Sequence, residues 1–165
     1  GTLSGAAVLR QGRYNWGAVI QRPNNANRYT ADLKILVYDR RAPGVAPADA
    51  ELQFSAPGVT DVVVGSTQLV LPATLDVLKL RTNGWIMDGT INPALGIRNA
   101  NFYRIQSLTE TGGGATVVEL QTPIRPPTGA AGVPAYTAQI YVLSNLIEVF
   151  DRPQLTPTTF MTQVP

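Results

Sequence analysis

The chain has 165 residues, 44% of them hydrophobic and only 15% charged, a globular composition with a sparsely charged surface that suits packing against copies of itself. A formal net charge of +2, with arginines scattered from Arg10 to Arg152, is too mild for a polyanion-binding stripe, so nucleic acid is not an expected partner. Cysteine and histidine are both absent, which excludes thiol nucleophiles, Ser-His-Asp relays, the usual zinc sites and disulfide staples.

In chain order, GTLSGAAVLRQG (1–12) is small and weakly apolar, compatible with a short strand or an arm. RYNWGAVIQRP then alternates, with Tyr14, Trp16, Ala18 and Ile20 on one side and Asn15, Gly17, Val19 and Gln21 on the other, the period of a strand. ADLKILVYDRR repeats it with Leu33, Ile35 and Val37 facing one way, and PNNANRYT between them is rich in turn formers. Residues 13–22 and 31–41 are therefore predicted to form an antiparallel pair.

APGVAPADA resists both helix and ladder through Pro43 and Pro47 and reads as a connection. Short strand candidates follow: ELQFSA, TDVVVGS and TQLVLPA, then LDVLKLRTN as a helical turn or strand closed by an Asn83-Gly84 turn. WIMDGTI, NFYRIQSLTE, ATVVELQTP and AQIYVLSNLIEVFDR are four more strands, the last long enough to bend or to cross between sheets. Thirteen prolines and fifteen glycines punctuate these runs, and with no helix predicted beyond two turns the fold class is mostly β. PTGAAGVPAY (127–136) and APGVAPA (42–48) are expected as exposed loops. No run of about 18 apolar residues occurs, so no membrane span is predicted in this sequence.

Gly112-Gly113-Gly114 invites comparison with a phosphate loop, but such loops lead into a helix and are followed by a lysine and a hydroxyl. Here Ala115, Thr116, Val117 and Val118 follow, so the triplet is predicted to turn a hairpin. Asp49 with Glu51, and Glu148 with Asp151, are carboxylate pairs that could hold a cation or do acid–base work but are expected to face solvent. Asn24, Asn25 and Asn27 lack the clustered acids that calcium needs and read as turn chemistry. Trp16, Trp85, Tyr14, Phe102, Tyr103 and Tyr141 could stack bases or sugars, and at strand centres they are expected to fill the core. No catalytic, cofactor-binding or metal-ligating residue is predicted, and no cofactor or small-molecule substrate.

GWIMDGTI, NFYRIQSLTETGGG, VVELQTPIR and YVLSNLIEVFDR resemble the carboxy-terminal β-rich part of pilin-like (prepilin-type, type II secretion pseudopilin-like) proteins of planctomycete bacteria. RYNWGAVIQRP and DLKILVYDRR are similar to the family's first hairpin, so the resemblance covers residues 13–152 through strand and turn signatures. It implies a β-rich head displayed outside the cell, carried in that family on an apolar amino-terminal helix. This sequence shows no such helix, which implies a head whose helix has been removed, or assembly by another route. The architecture it implies is an arm and hairpin of a pilin-like sheet at 1–45, then a small SH3-like or OB-like β-barrel at 46–152 whose last strand returns to the sheet, and a tail at 153–165.

The expected function is a non-enzymatic structural subunit of an extracellular or cell-envelope filament, a homo-oligomer joined through sheet edges and apolar surface. Insertion of the 1–12 arm into a neighbour is one route to such assembly. The alternatives are a barrel module binding a glycan or peptide, and a virion or phage-tail structural protein.

Overall fold

The structure, a computed structural model, describes residues 14–21, 31–39, 52–54, 61–71, 80–92, 96–128, 132–143 and 145–155. Among them there is no helix, and every paired strand is antiparallel. The mostly β class read from the Pro/Gly punctuation is what the chain adopts.

The first layer is a three-stranded sheet in the order β1-β2-β13, made of β1 (Tyr14–Gln21), β2 (Ala31–Asp39) and β13 (Leu146–Leu155). Its β1–β2 register runs from Tyr14 opposite Asp39 to Gln21 opposite Asp32, the predicted antiparallel pair over the residues described. The second layer is a six-stranded sheet, β3-β12-β6-β9-β10-β5, curled into a half-barrel. It comprises β3 (Leu52–Phe54), β5 (Gln68–Leu71), β6 (Trp85–Asp88), β9 (Asn101–Glu110), β10 (Thr116–Leu120) and β12 (Ile140–Leu143).

The curl comes from β9. Its first half, Asn101 to Arg104, pairs with β6, and its second half, from Ile105 on, pairs with β10. A register shift between Glu119 and Leu120 sits near that handover, and such a bulge sharpens the local twist. Two small ribbons complete the set: β4 (Asp61–Val63) with β11 (Ala135–Thr137), and β7 (Ile91–Asn92) with β8 (Ile97–Arg98). The stretch 127–136, expected as an exposed loop, is thus partly otherwise: Pro127 is buried and Tyr136 lies on β11.

The long AQIYVLSNLIEVFDR run does cross between sheets. β12 belongs to the half-barrel and β13 to the three-stranded sheet, with Asn145 between them at φ 61°, a left-handed conformation that asparagine tolerates better than most residues. The Asn145 carbonyl accepts from the Asp39 amide at 2.9 Å, fixing the crossing against the end of β2.

Alternation then builds two cores. Inside the half-barrel, Ile86, Tyr103, Ile105, Val118, Leu120 and Leu71 are buried together. Between the two layers lies a second cluster, Leu36, Tyr38, Leu143 and Leu146, against which Val19, Trp85, Met87, Phe102, Tyr141 and Val149 pack. At about 25 cal/mol for each Å² of apolar surface removed from water, both cores are strongly stabilising.

Candidate assembly surface

The three-stranded sheet has one face on the second core, and its other face looks outward. Register decides which residues lie where, because opposed residues in an antiparallel pair share a face. Trp16 stands opposite Val37, Ala18 opposite Ile35 and Ile20 opposite Leu33. On the other side of β2, Phe150 stands opposite Ile35 and Arg152 opposite Leu33. The outer face therefore carries Tyr14, Trp16, Ala18 and Ile20 on β1, Leu33, Ile35 and Val37 in the middle, and Phe150 on β13, with Asp39, Glu148 and Arg152 toward its margins.

These side chains are open to solvent to an unusual degree. Relative exposure is 76% for Trp16, 69% for Ile20, 60% for Tyr14 and 49% for Phe150, four of the eight large hydrophobic residues that are exposed among the described residues. Single exposed hydrophobics are ordinary on any surface, whereas a contiguous patch marks an interaction site.

The inner face contributes a half-open cleft of about 280 Å³ between the layers, lined by Gly17, Val19, Leu36, Met87, Phe102 and Leu143 among others. Gly17 is the reason for the space. It occupies an inward position between Asn15 and Val19, and a Cβ there would meet nothing within 4 Å.

A different chemistry lies inside the half-barrel. Asp88 is 1% exposed and accepts hydrogen bonds from four neutral donors. The Thr90 amide at 2.9 Å and the Thr90 hydroxyl donate to Oδ1, while Asn99 Nδ2 at 2.9 Å and the Tyr136 hydroxyl at 2.7 Å donate to Oδ2. Asn99 Oδ1 in turn accepts from the Thr128 amide at 2.8 Å, and Thr90 Oγ1 from the Gln139 amide at 2.7 Å. Burial pushes the Tyr103 phenol up to about 12; the Arg125 amide donating to it works against that shift, and the Asp88 carboxylate adds to it. Tyr136 is raised as well, through burial first and then through Asp88. With its acceptor sites filled by four ordered donors, this carboxylate is a structural node tying β6 to β11 and to the segments around Thr90, Asn99 and Thr128.

The candidates read from sequence are dispersed. The glycine triplet turns the β9–β10 hairpin, closed by Gly114 N to Thr111 O at 2.9 Å and Thr111 N to Ala115 O at 2.8 Å, and β10 follows it directly. Glu148 and Asp151 do not converge. Glu148 lies 3.5 Å from Arg104 Nη1 and Asp151 3.6 Å from Lys34 Nζ, and the register places the two residues on opposite faces of β13. Asp49, Glu51, Asn24, Asn25 and Asn27, together with the 1–12 arm, fall outside the described residues. Among the described residues no three acidic side chains gather in a way that could hold a metal ion.

The aromatic expectation divides. Tyr103 fills the half-barrel core, and Trp85, Phe102 and Tyr141 pack on the second cluster. Trp16 and Tyr14, expected in the core, instead stand in solvent, because it is the Gly17 and Val19 side of β1 that turns toward Leu36 and Tyr38. Sequence reasoning did not find Asp88; its signal is an acidic residue at the inward parity of WIMD, two positions after buried Ile86.

No helix among the described residues is long and apolar enough to cross a membrane. Comparison of the chain with protein-family models, with curated proteins and with solved structures finds no match.

Proposed function

We propose that this chain is a non-enzymatic structural subunit of an extracellular or cell-envelope filament, pilin-like or pseudopilin-like in character, which assembles with its own copies through sheet edges and apolar surface. The observation that carries this reading is the outer face of the three-stranded sheet, where Tyr14, Trp16, Ile20 and Phe150 stand together in solvent. Leaving so much apolar area wet is unfavourable by roughly 25 cal/mol per Å², and association is the direct way to recover it. The remainder of the molecule supports a mechanical role: two apolar cores, and a buried carboxylate whose partners are all occupied in holding the fold together.

Sedimentation velocity over a wide concentration range, with negative-stain microscopy of the same samples, tests the proposal. Concentration-dependent oligomers or fibres are expected. A species that stays monomeric at the highest attainable concentration refutes it.

One observation favours a second reading. Tyr14 and Trp16 are two residues apart on one strand and share its solvent face, as a stacking platform for a sugar would require. A glycan-binding module predicts quenching or a blue shift of Trp16 fluorescence on addition of oligosaccharide, and binding lost in Trp16→Ala with the fold retained. An assembling subunit predicts no response.

A further inference from the structure

We infer that the outer face of the β1-β2-β13 sheet is the contact with a second copy of this chain, the two faces packing on one another about a two-fold axis near the Ile35–Phe150 pair. The inference rests on the self-assembly reading and specifies the surface that it uses.

Area supplies the first argument. Taking about 200 Å² for each fully exposed large side chain, the four exposures above and the half-buried Leu33, Ile35 and Val37 amount to on the order of 600 Å² of apolar surface. That is most of the roughly 800 Å² that each partner contributes to a standard interface, before any backbone or polar rim is added. Pairing through the strand edge alone would leave Trp16 and Ile20 in water, whereas face-to-face packing at the roughly 10 Å spacing of sandwiched sheets covers them.

Charge supplies the second. The centre of the face, Trp16, Ala18, Ile35, Val37 and Phe150, is uncharged. Its charges are Asp39, opposite Tyr14 at one corner, and two residues on β13, Glu148 two positions before Phe150 and Arg152 two positions after it on the same side of the strand. A two-fold axis near Phe150 reverses β13 on itself, so Glu148 of each copy approaches Arg152 of the other. Arg152 is exposed, and the Glu148 side chain, 3.5 Å from Arg104, keeps about a third of its surface open. The two β13 charges are thus self-complementary, as an isologous interface demands.

Absence of cysteine makes the test clean. In the full chain, Ile35→Cys places one thiol at the middle of the face, and Glu110→Cys places one at the exposed end of β9 as a control. Under mild oxidation Ile35→Cys is expected to give a covalent dimer, since a disulfide forms only where two Cβ atoms come within about 4.5 Å, while the more exposed Glu110→Cys stays single. Trp16→Lys and Phe150→Lys, with the fold checked by circular dichroism, are each expected to weaken association at least tenfold, and Val63→Lys, exposed elsewhere, to leave it unchanged. If the chain assembles but Ile35→Cys does not cross-link and Trp16→Lys assembles like the parent, the face is not the contact and assembly runs through the edges. If the chain is monomeric throughout, both the face and the self-assembly reading fall. A monomer whose Trp16, isolated by Trp85→Phe, resists quenching by acrylamide would show the face covered by another part of the same chain.

Discussion

Asp88 occupies a position where the pattern of β6 asks for an apolar side chain, two residues after buried Ile86 in the half-barrel. An ionisable group is tolerated at 1% exposure because both oxygens have ordered donors, and their removal is more damaging than their net contribution suggests, since unpaired partners would remain buried. Asp88→Asn keeps the size but turns one acceptor into a donor, which then faces the Thr90 pair or faces Asn99 and Tyr136. Urea unfolding should show a loss of about 2–4 kcal/mol, with oligomeric state unaffected once the protein is folded. Tyr136→Phe, which removes one of the four donors to the carboxylate, should lose less, about 1.5–2 kcal/mol. Equal effects from the two variants would mean that Asp88 is not the hub.

At the scale of elements, the hairpin at Gly112-Gly113-Gly114 shows how much a run of residues says and where it stops. Strand, glycine turn, strand was legible, because alternation on both sides leaves no room for a helix. Which glycine matters was not. Only Gly114 of the three has a left-handed φ, at 77°, while a Cβ on Gly112 or Gly113 would meet nothing within 4 Å. Gly114→Ala should therefore cost about 1 kcal/mol, seen as a lowered melting temperature, and Gly112→Ala or Gly113→Ala should leave it unchanged. Elements that were missed share a cause. The β7–β8 ribbon has two residues in each strand, and β11 lies hidden in a Pro/Gly-rich stretch whose partner is β4, far earlier in the chain. Such pairings are set by the assembled half-barrel, and no local period announces them.

For the whole molecule, the period of β1 could be read from sequence, but the side that meets the core could not. The aromatic side turned out to be the wet one, since packing between the two layers selects Val19 with Leu36 and Tyr38, a choice that depends on a sheet built from residues some hundred positions away. The half-barrel core makes a prediction at the same scale. Tyr103 accepts from the Arg125 amide and Tyr136 donates from β11 to Asp88, so ionising Tyr136 breaks a contact between elements, while ionising Tyr103 buries a phenolate in the half-barrel core near the Asp88 carboxylate. The folded pKa of Tyr103 is raised from 10.0 to about 12, hence the native state holds this proton more tightly than the unfolded chain. Stability from this source is fully present below the unfolded value, and it declines as pH rises from 10.0 toward about 12. At about 1.4 kcal/mol per pH unit for each shifted group, Tyr103 alone removes roughly 2–3 kcal/mol over that window, and Tyr136, raised as well, adds to the loss. Urea midpoints should fall steeply between about pH 10 and about pH 12, and part of the tyrosinate absorbance should appear only together with unfolding. Complete tyrosine ionisation in a protein that keeps its native circular dichroism would show that these two phenols are not held in the core.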